Sequence, residues 1–200
     1  MTIGLYFGSF NPIHIGHMII AEFVQQHTDV EQVWFVVSPQ NPFKLSSTLL
    51  NSYHRLHLVR LAIGNNSHLQ VSDIEFKLPV PSYTIDTLTY LQEKYSNHTY
   101  KIILGSDSFQ NINKWKNGEI LLKNYSFIVY KRPGFPVEKK QQTNCQMVDA
   151  PLLEISSTFI RKQIQDKKSV RYLLPDAVYD EIMQNRYYQV SEKDTEKKTR

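Results

Sequence analysis

The chain has 200 residues, of which 41% are hydrophobic and 21% are charged. This composition excludes a disordered chain and is sufficient for one sizeable core, so we expect a single domain over residues 1–188. The net charge of +4 suits an anionic ligand, but the basic residues are too dispersed to indicate a nucleic-acid-binding surface.

The single cysteine, Cys145, excludes an internal disulfide and is typical of a reducing compartment. No apolar run approaches the about 20 residues that cross a bilayer, and the first residues lack the basic start of a secretory signal. We therefore expect a cytoplasmic protein without a membrane partner. The polar residues 189–200 predict a mobile tail.

Short apolar runs alternate with longer amphipathic segments along the chain. The runs are "IGLYF" (3–7), "VWFVV" (33–37), "KIILG" (101–105) and "YSFIVYK" (125–131). Continuous apolar runs of this length are typical of strands buried on both faces of a parallel sheet. Apolar residues at helical spacing predict helices over 15–27, 52–64 and 84–95, with Ser52 as an N-cap and Gly64 as a stop. The alternation predicts an α/β fold with a doubly wound parallel sheet.

The stretch "GSFNPIHIGH" (8–17) follows the first predicted strand, where such sheets bind ligands. Gly8 permits a close backbone approach, and His17 falls near a helix start, where free N–H groups and the helix dipole favour an anion. An imidazole there would donate to a phosphate. Two alternatives stay open for His14 and His17: zinc ligands, although no Cys, Asp or Glu is nearby, or incidental loop histidines.

A second polar helix start, "ISSTFIR" (155–161), lies near the other end of the chain. Ser156, Ser157 and Thr158 could cradle a phosphate, and Arg161, one turn on, could add a two-pronged donor. An ordinary N-cap followed by a surface arginine explains the same residues. Two such cradles in one α/β domain favour a polyphosphate held between them.

These motifs carry a family resemblance. "GSFNPIHIGH" resembles the H-x-G-H signature of the nucleotidyltransferases related to class I aminoacyl-tRNA synthetases, and "SSTFIR" resembles their S-x-T-x-x-R element. "PSYTIDTL" (81–88) and "GSDSFQNINKW" (105–115) resemble the bacterial nicotinate-nucleotide adenylyltransferases. The resemblance implies a Rossmann-like sheet with C-terminal helices. In two departures, Phe7 and Gly8 stand where the family has adjacent glycines, and Asn11 replaces the commoner aspartate.

The resemblance implies adenylyl transfer from ATP to nicotinate mononucleotide, with Mg²⁺ bound to ATP and pyrophosphate released. It implies catalytic roles for His14, His17, Lys44 and Arg161. It further implies that ATP is bound by residues of both motifs and of the loop after residue 104: Gly8, Ser9, Phe10, His14, His17, Gly105, Asp107, Ser156, Thr158 and Arg161. A solvated loop lysine at 44 and a plain N-cap aspartate at 107 stay open as alternatives.

The resemblance places the acceptor nucleotide at Thr84 and Trp115. Trp115 could stack on the pyridinium ring, although a core position is the alternative. Thr84 and nearby N–H groups could bind the nicotinate carboxylate, which predicts a preference for the acid over the amide.

Two other functions stay open. A related nucleotidyltransferase could act on phosphopantetheine or on a sugar or polyol phosphate, although residues 81–88 and Trp115 argue against it. An RNA- or anion-binding module would fit the basic charge, but no aromatic-basic motif of known RNA modules is present. We expect no nucleic-acid partner, and a homo-oligomer stays open.

Overall fold

The computed structural model describes residues 1–40, 49–137, 144–151 and 153–189. In chain order, its strands and helices are β1 (Thr2–Gly8), α1 (Ile15–His27), β2 (Gln32–Val37), α2 (Ser52–Ile63), β3 (Leu69–Ser72), α3 (Thr84–Lys94), β4 (Thr99–Gly105), α4 (Ser106–Phe109), α5 (Gly118–Asn124), β5 (Ser126–Tyr130), β6 (Cys145–Val148), α6 (Ser157–Gln165) and α7 (Asp176–Gln184). Short 3₁₀ helices lie at Ile74–Lys77, Ile112–Lys114 and Arg171–Leu173.

Within these ranges the strands form one parallel sheet in the order β3-β2-β1-β4-β5-β6. The chain runs outward from β1 through β2 to β3 and then returns to β4 on the other side of β1, so the strand order reverses at β1. Gly8, Val37, Gly105 and Tyr130 are the last residues of the four inner strands and share one edge. Open α/β sheets bind ligands at such a switch point. The predicted doubly wound parallel sheet is confirmed.

The sheet is covered on both faces. One hydrophobic cluster joins α1, α2, α6 and α7 to the sheet and contains Ile20, Val59, Ile160 and Val178. The other joins α3, α4 and α5 to the opposite face and contains Leu88, Leu91, Phe109 and Leu121. Burial on both faces explains why the central strands read as continuous apolar runs.

The predicted helix boundaries are largely confirmed. Helix α1 spans the predicted residues, and α2 ends at Gly64, whose φ of 56° is the left-handed conformation that favours glycine. The prediction of Ser52 as N-cap is wrong. Asn51 caps α2 instead, because its side chain accepts the N–H of Tyr53 at 2.9 Å. Asparagine and serine are both good caps, so the sequence alone does not separate these neighbours.

Two further expectations concern the ends and surface of the chain. None of the helices in the described ranges is long and apolar enough to cross a membrane. Of the predicted tail 189–200, only Gln189 falls within the described residues. The mobile tail therefore stays a prediction.

Candidate active site

A cavity of about 660 Å³ opens at the carboxyl edge of the sheet, between β1 and β4. Its volume falls within the roughly 300–1,000 Å³ of small-molecule sites. Six residues that the sequence predicts for ligand binding line this one cavity: Gly8, Ser9, Thr84, Gly105, Asp107 and Trp115. The residues predicted to bind ATP, which follow β1 and β4, therefore share one cavity with Thr84 and Trp115, the residues predicted to bind the acceptor.

His14 and His17 form a close pair beside this cavity, with their rings tilted by 31°. The backbone N–H of His14 donates to Nδ1 of His17 at 3.2 Å, and the ring centroids lie 3.7 Å apart. The ring of His17 also meets the edge of Tyr6, a cavity residue, at a centroid distance of 6.1 Å. The pair therefore adjoins the cavity without lining it.

The surroundings of the two rings fix their protonation. Burial and, to a smaller degree, the charge of Arg132 lower the pKa of His14 to about 4, so its ring is neutral at pH 7. Because Nδ1 of His17 accepts a hydrogen bond, a neutral His17 carries its proton on Nε2. His14 is thus neutral, and the Nδ1 contact leaves Nε2 of His17 as its available ring N–H.

The start of α6 packs directly on the loop after β1. The Ser157 hydroxyl donates to the carbonyl of Pro12 at 2.8 Å, and Arg161 Nη1 donates to the carbonyl of Asn11 at 2.8 Å. Arg161 Nη2 also lies 3.3 Å from Oγ1 of Thr158. The two sequence motifs, about 150 residues apart, therefore meet as expected.

The seryl side chain at the start of α6 serves the helix itself. Ser156 is the N-cap, and its hydroxyl accepts the N–H of Phe159 at 3.1 Å. Ser156, Thr158 and Arg161 do not line the cavity. Their contact with a phosphate stays a prediction.

Phe10 contributes to the core and not to the cavity wall. Its side chain is 3% exposed, and its ring packs edge-on against Phe35 and His17. A Cβ on Gly8 would lie 2.8 Å from this ring, so a larger residue at position 8 would displace it. The side chain of Phe10 is therefore not exposed to the cavity, and only its backbone could contact ATP.

Asn11 replaces the family's commoner aspartate in a structural position. It is 5% exposed, and its Oδ1 accepts the N–H of Leu50 at 3.1 Å. An amide oxygen makes this bond as an aspartate oxygen would. This contact therefore does not depend on the amide group.

Arg55 is a site residue that sequence reasoning missed. Its side chain is fully buried in α2 and donates to the backbone carbonyls of Ser9 at 2.5 Å, Ser38 at 2.8 Å, Pro39 at 3.0 Å and Leu50 at 2.8 Å. These carbonyls belong to the loops after β1 and β2. Arg55 therefore ties two ligand loops together from behind. In the sequence it looks like a solvated residue of an amphipathic helix, and no local signal distinguishes it.

Arg132 is a second missed residue. It is the second residue after β5, and its guanidinium lies 5.4 Å from the centre of the Tyr130 ring, with Nε 4.0 Å from Asp107 Oδ1. It places a cation beside a predicted ATP residue. Ligands of parallel sheets bind in the loops after the strands, and residues 131–132 also follow a predicted strand. The same reasoning could therefore have identified Arg132.

The loop that contains Lys44 lies outside the described residues, so the predicted role of Lys44 stays a prediction. Among the residues that the structure describes, no three His, Cys, Asp or Glu side chains cluster as metal ligands would. Asp107 places one carboxylate at the cavity, and the Mg²⁺ expected with ATP stays a prediction.

Comparisons with known proteins agree with this geometry. Residues 5–163 match the model of the cytidylyltransferase-like family. The chain is 48% identical over 189 residues to the "probable nicotinate-nucleotide adenylyltransferase" of Cytophaga hutchinsonii, covering 94% of this chain and 98% of that one. It is 47% identical to the protein of the same name from Flavobacterium johnsoniae, covering 94% and 99%.

The chain belongs to the nicotinate-nucleotide adenylyltransferases, within the cytidylyltransferase-like family.

Solved structures agree on the fold of this adenylyltransferase family. The chain superposes on the Plasmodium falciparum nicotinic acid mononucleotide adenylyltransferase complexed with NaAD with a TM-score of 0.80 at 24% identity. That match covers 94% of this chain and 97% of the Plasmodium chain. The family model and the curated relatives confirm the resemblance inferred from the H-x-G-H and S-x-T-x-x-R elements, and the solved structure confirms the Rossmann-like fold.

Proposed function

We propose that this protein transfers the adenylyl group of ATP to the phosphate of nicotinate mononucleotide and releases pyrophosphate. The observation that carries the proposal is the single cavity lined both by the loops after β1 and β4 and by Thr84 and Trp115. A transfer between two nucleotides requires both to be held at one site, with the reacting oxygen and phosphorus close together.

The chemistry needs charge neutralisation more than a base. An oxygen of the acceptor phosphate forms the new bond to the α-phosphorus, and the bond from that phosphorus to the bridging oxygen of pyrophosphate breaks. The acceptor phosphate is already largely a dianion at pH 7, because its second pKa is about 6. Donors that face the α-phosphoryl oxygens then supply the transition-state stabilisation.

The histidine pair is the proposed donor to the α-phosphate. The His14 N–H to His17 contact holds the His17 ring with its Nε2–H as the available donor. A donor fixed in advance costs no reorganisation when charge develops. His14 supports the ring by stacking and stays neutral beside it.

The remaining ATP contacts are proposed around this pair. The start of α6, with Ser156, Thr158 and Arg161, faces the β- and γ-phosphates. Asp107 accepts from ribose hydroxyls, and Arg132 adds a cation beside it. When bound with ATP, Mg²⁺ would neutralise phosphate charge, with water and phosphate oxygens as its main ligands.

Thr84 and Trp115 are the proposed acceptor residues. Thr84 is the first residue of α3, and the N-cap, Tyr83, makes no side-chain capping bond to the first turn. The N–H groups at this helix start suit a carboxylate. Trp115 is half-buried at the cavity wall, where one face of its ring can stack on a flat pyridinium cation.

A pyrophosphate-release assay with Mg-ATP tests the proposal. Nicotinate mononucleotide, nicotinamide mononucleotide, phosphopantetheine and ribose 5-phosphate are offered in turn. We expect rapid release with the nicotinate compound, slower release with the amide and background release with the others. Equal release with phosphopantetheine or the sugar phosphate would contradict the proposed acceptor.

A further inference from the structure

Glu75 is a buried carboxyl group in the wall of the cavity. It lies in the 3₁₀ helix Ile74–Lys77, is 2% exposed and lines the cavity beside Ser82 and Thr84. No cationic side chain pairs with it within the described residues. Burying a carboxylate without a cation is unfavourable, so a role in stability does not account for this residue.

The contacts of Glu75 lead to the start of α3. The Thr87 hydroxyl lies 3.0 Å from Oε1 of Glu75 and 3.3 Å from the carbonyl of Tyr83, the N-cap of α3. A hydroxyl carries one proton, whereas both of these neighbours are acceptors when Glu75 is ionised. The carbonyl of Tyr83 already accepts the backbone N–H groups of Asp86 at 3.0 Å and of Thr87 at 3.2 Å, so the Thr87 hydroxyl is available to donate to Glu75. Burial raises the pKa of Glu75 and outweighs the hydroxyls of Ser38, Thr87 and Ser82, which lower it.

Two polar atoms of this wall are left for the cavity to satisfy. Oε2 of Glu75 and Oγ of Ser82 are buried and make no hydrogen bond of good geometry with the described residues, although the hydroxyls of Ser38 and Ser82 lie near enough to Glu75 to lower its pKa. Both residues line the cavity. A buried polar group of this kind is completed by water or by a bound ligand.

We propose that Glu75 is a positioning residue for the acceptor nucleotide, which fixes Tyr83 and Thr84 at the cavity through the hydroxyl of Thr87. This inference rests on the proposed function. Glu75 acts by accepting the hydrogen bond of the Thr87 hydroxyl, and not through a net charge facing the ligand. Tyr83 and Thr84 lie on the acceptor side of the cavity. Loss of the Glu75 side chain should therefore weaken acceptor binding and leave ATP binding unchanged.

Substitutions at the two ends of the hydrogen bond test the proposal. Glu75→Ala and Thr87→Val both remove it, and Thr87 does not line the cavity, so Thr87→Val removes no ligand contact. Each should raise KM for nicotinate mononucleotide about tenfold, the equivalent of one lost hydrogen bond of about 1.4 kcal/mol, with KM for ATP changed less than twofold. Glu75→Gln keeps a neutral oxygen that can accept from the Thr87 hydroxyl, and it should stay within about threefold of the wild type.

Matched controls come from the same helix. Thr89 is exposed and its hydroxyl bonds the carbonyl of Ile85 within α3, so Thr89→Val should leave both KM values unchanged. Glu93→Ala removes an exposed carboxylate from α3 and should do the same. The combined Glu75→Ala and Thr87→Val variant should be no worse than either single variant, because both remove one interaction.

The outcomes separate this inference from the function on which it rests. If Glu75→Gln were as impaired as Glu75→Ala, the charge would matter and the proposal would be wrong. Equal increases in both KM values would show a general structural role and would overturn it as well. A wild-type protein that fails to use nicotinate mononucleotide would contradict the proposed function itself.

Discussion

The backbone N–H of His14 donates to Nδ1 of His17 over 3.2 Å, and the two rings lie face to face with a tilt of 31° and a centroid distance of 3.7 Å. One contact therefore sets both the orientation and the tautomer of His17. The sequence places both histidines at the start of a helix, but only the structure shows that the first one orients the second.

His17→Ala should lower kcat far more than it raises KM for ATP. Losing a donor that strengthens in the transition state costs roughly 2.7–4 kcal/mol, or about 10²–10³ in rate. Steady-state kinetics measure the change. The control is His27→Ala, in the last turn of the same helix. His27 is exposed, and its ring makes a hydrogen bond to the carbonyl of Phe23. A fall in kcat of less than about threefold for His17→Ala would sink the assignment.

Arg161→Ala should mainly weaken the use of ATP. Its guanidinium is fixed against Asn11 and Thr158 and so is held at the loop that is proposed to meet the phosphates. A hydrogen bond to a charged group is worth about 1.5–3 kcal/mol, which predicts roughly a ten- to hundredfold rise in KM for ATP. Arg161→Lys should restore this in part, because lysine lacks the planar fork. Exposed Lys162→Ala is the control, and unchanged ATP kinetics in Arg161→Ala would place the second phosphate cradle elsewhere.

Thr84→Ala and Trp115→Ala should differ in their effect on acceptor choice. Stacking ignores the difference between acid and amide, so Trp115→Ala should weaken both mononucleotides alike. The donors near Thr84 lose their anion when the amide binds, at about 1–3 kcal/mol for each buried donor, so two donors predict about a hundredfold preference for the acid. Thr84→Ala should narrow this preference in kcat/KM. A wild-type protein that uses acid and amide equally would refute the carboxylate pocket.

Arg55→Met should destabilise the fold, because it removes the donor of four carbonyl oxygens, one of them buried and three part-buried. At about 1–3 kcal/mol for each buried unsatisfied group, the free energy of unfolding should fall by at least about 3 kcal/mol. Denaturant titration measures it. Arg60→Met is the matched control, since Arg60 is exposed one helical turn further along α2. A change as small as that of the control would mean that the four contacts do not stabilise the loops.

His14 should make the protein sensitive to mild acid. Its pKa is about 4 in the fold, below the ordinary 6.5, so the unfolded chain binds more protons between these values and stability falls as pH drops through this window. The difference predicts a loss of about 3 kcal/mol between pH 6.5 and pH 4. His14→Asn cannot titrate and should lack this part of the loss. If the unfolding free energies of both proteins fell in parallel, His14 would not be buried in its neutral form.

The sequence predicts the sheet well and the support of the site poorly, for physical reasons. Central strands are buried on both faces, so "IGLYF" and "KIILG" can be recognised as strands from their continuous apolar residues alone. The short edge strands β3 and β6 carry no comparable run. The roles of Arg55 and Glu75 depend on backbone groups and hydroxyls that the fold brings from distant segments. Charged residues in amphipathic stretches are usually solvated, so their burial is visible only once the helices are packed.

The fate of labelled phosphate in ATP tests the central claim most directly. The protein is incubated with Mg²⁺, nicotinate mononucleotide and ATP labelled at either the α- or the γ-phosphorus, and the products are separated. Adenylyl transfer predicts that the α-label appears in nicotinate adenine dinucleotide and the γ-label in pyrophosphate, in equal amounts. Transfer of the γ-label to the acceptor, or release of the γ-label without an α-labelled dinucleotide, would contradict it.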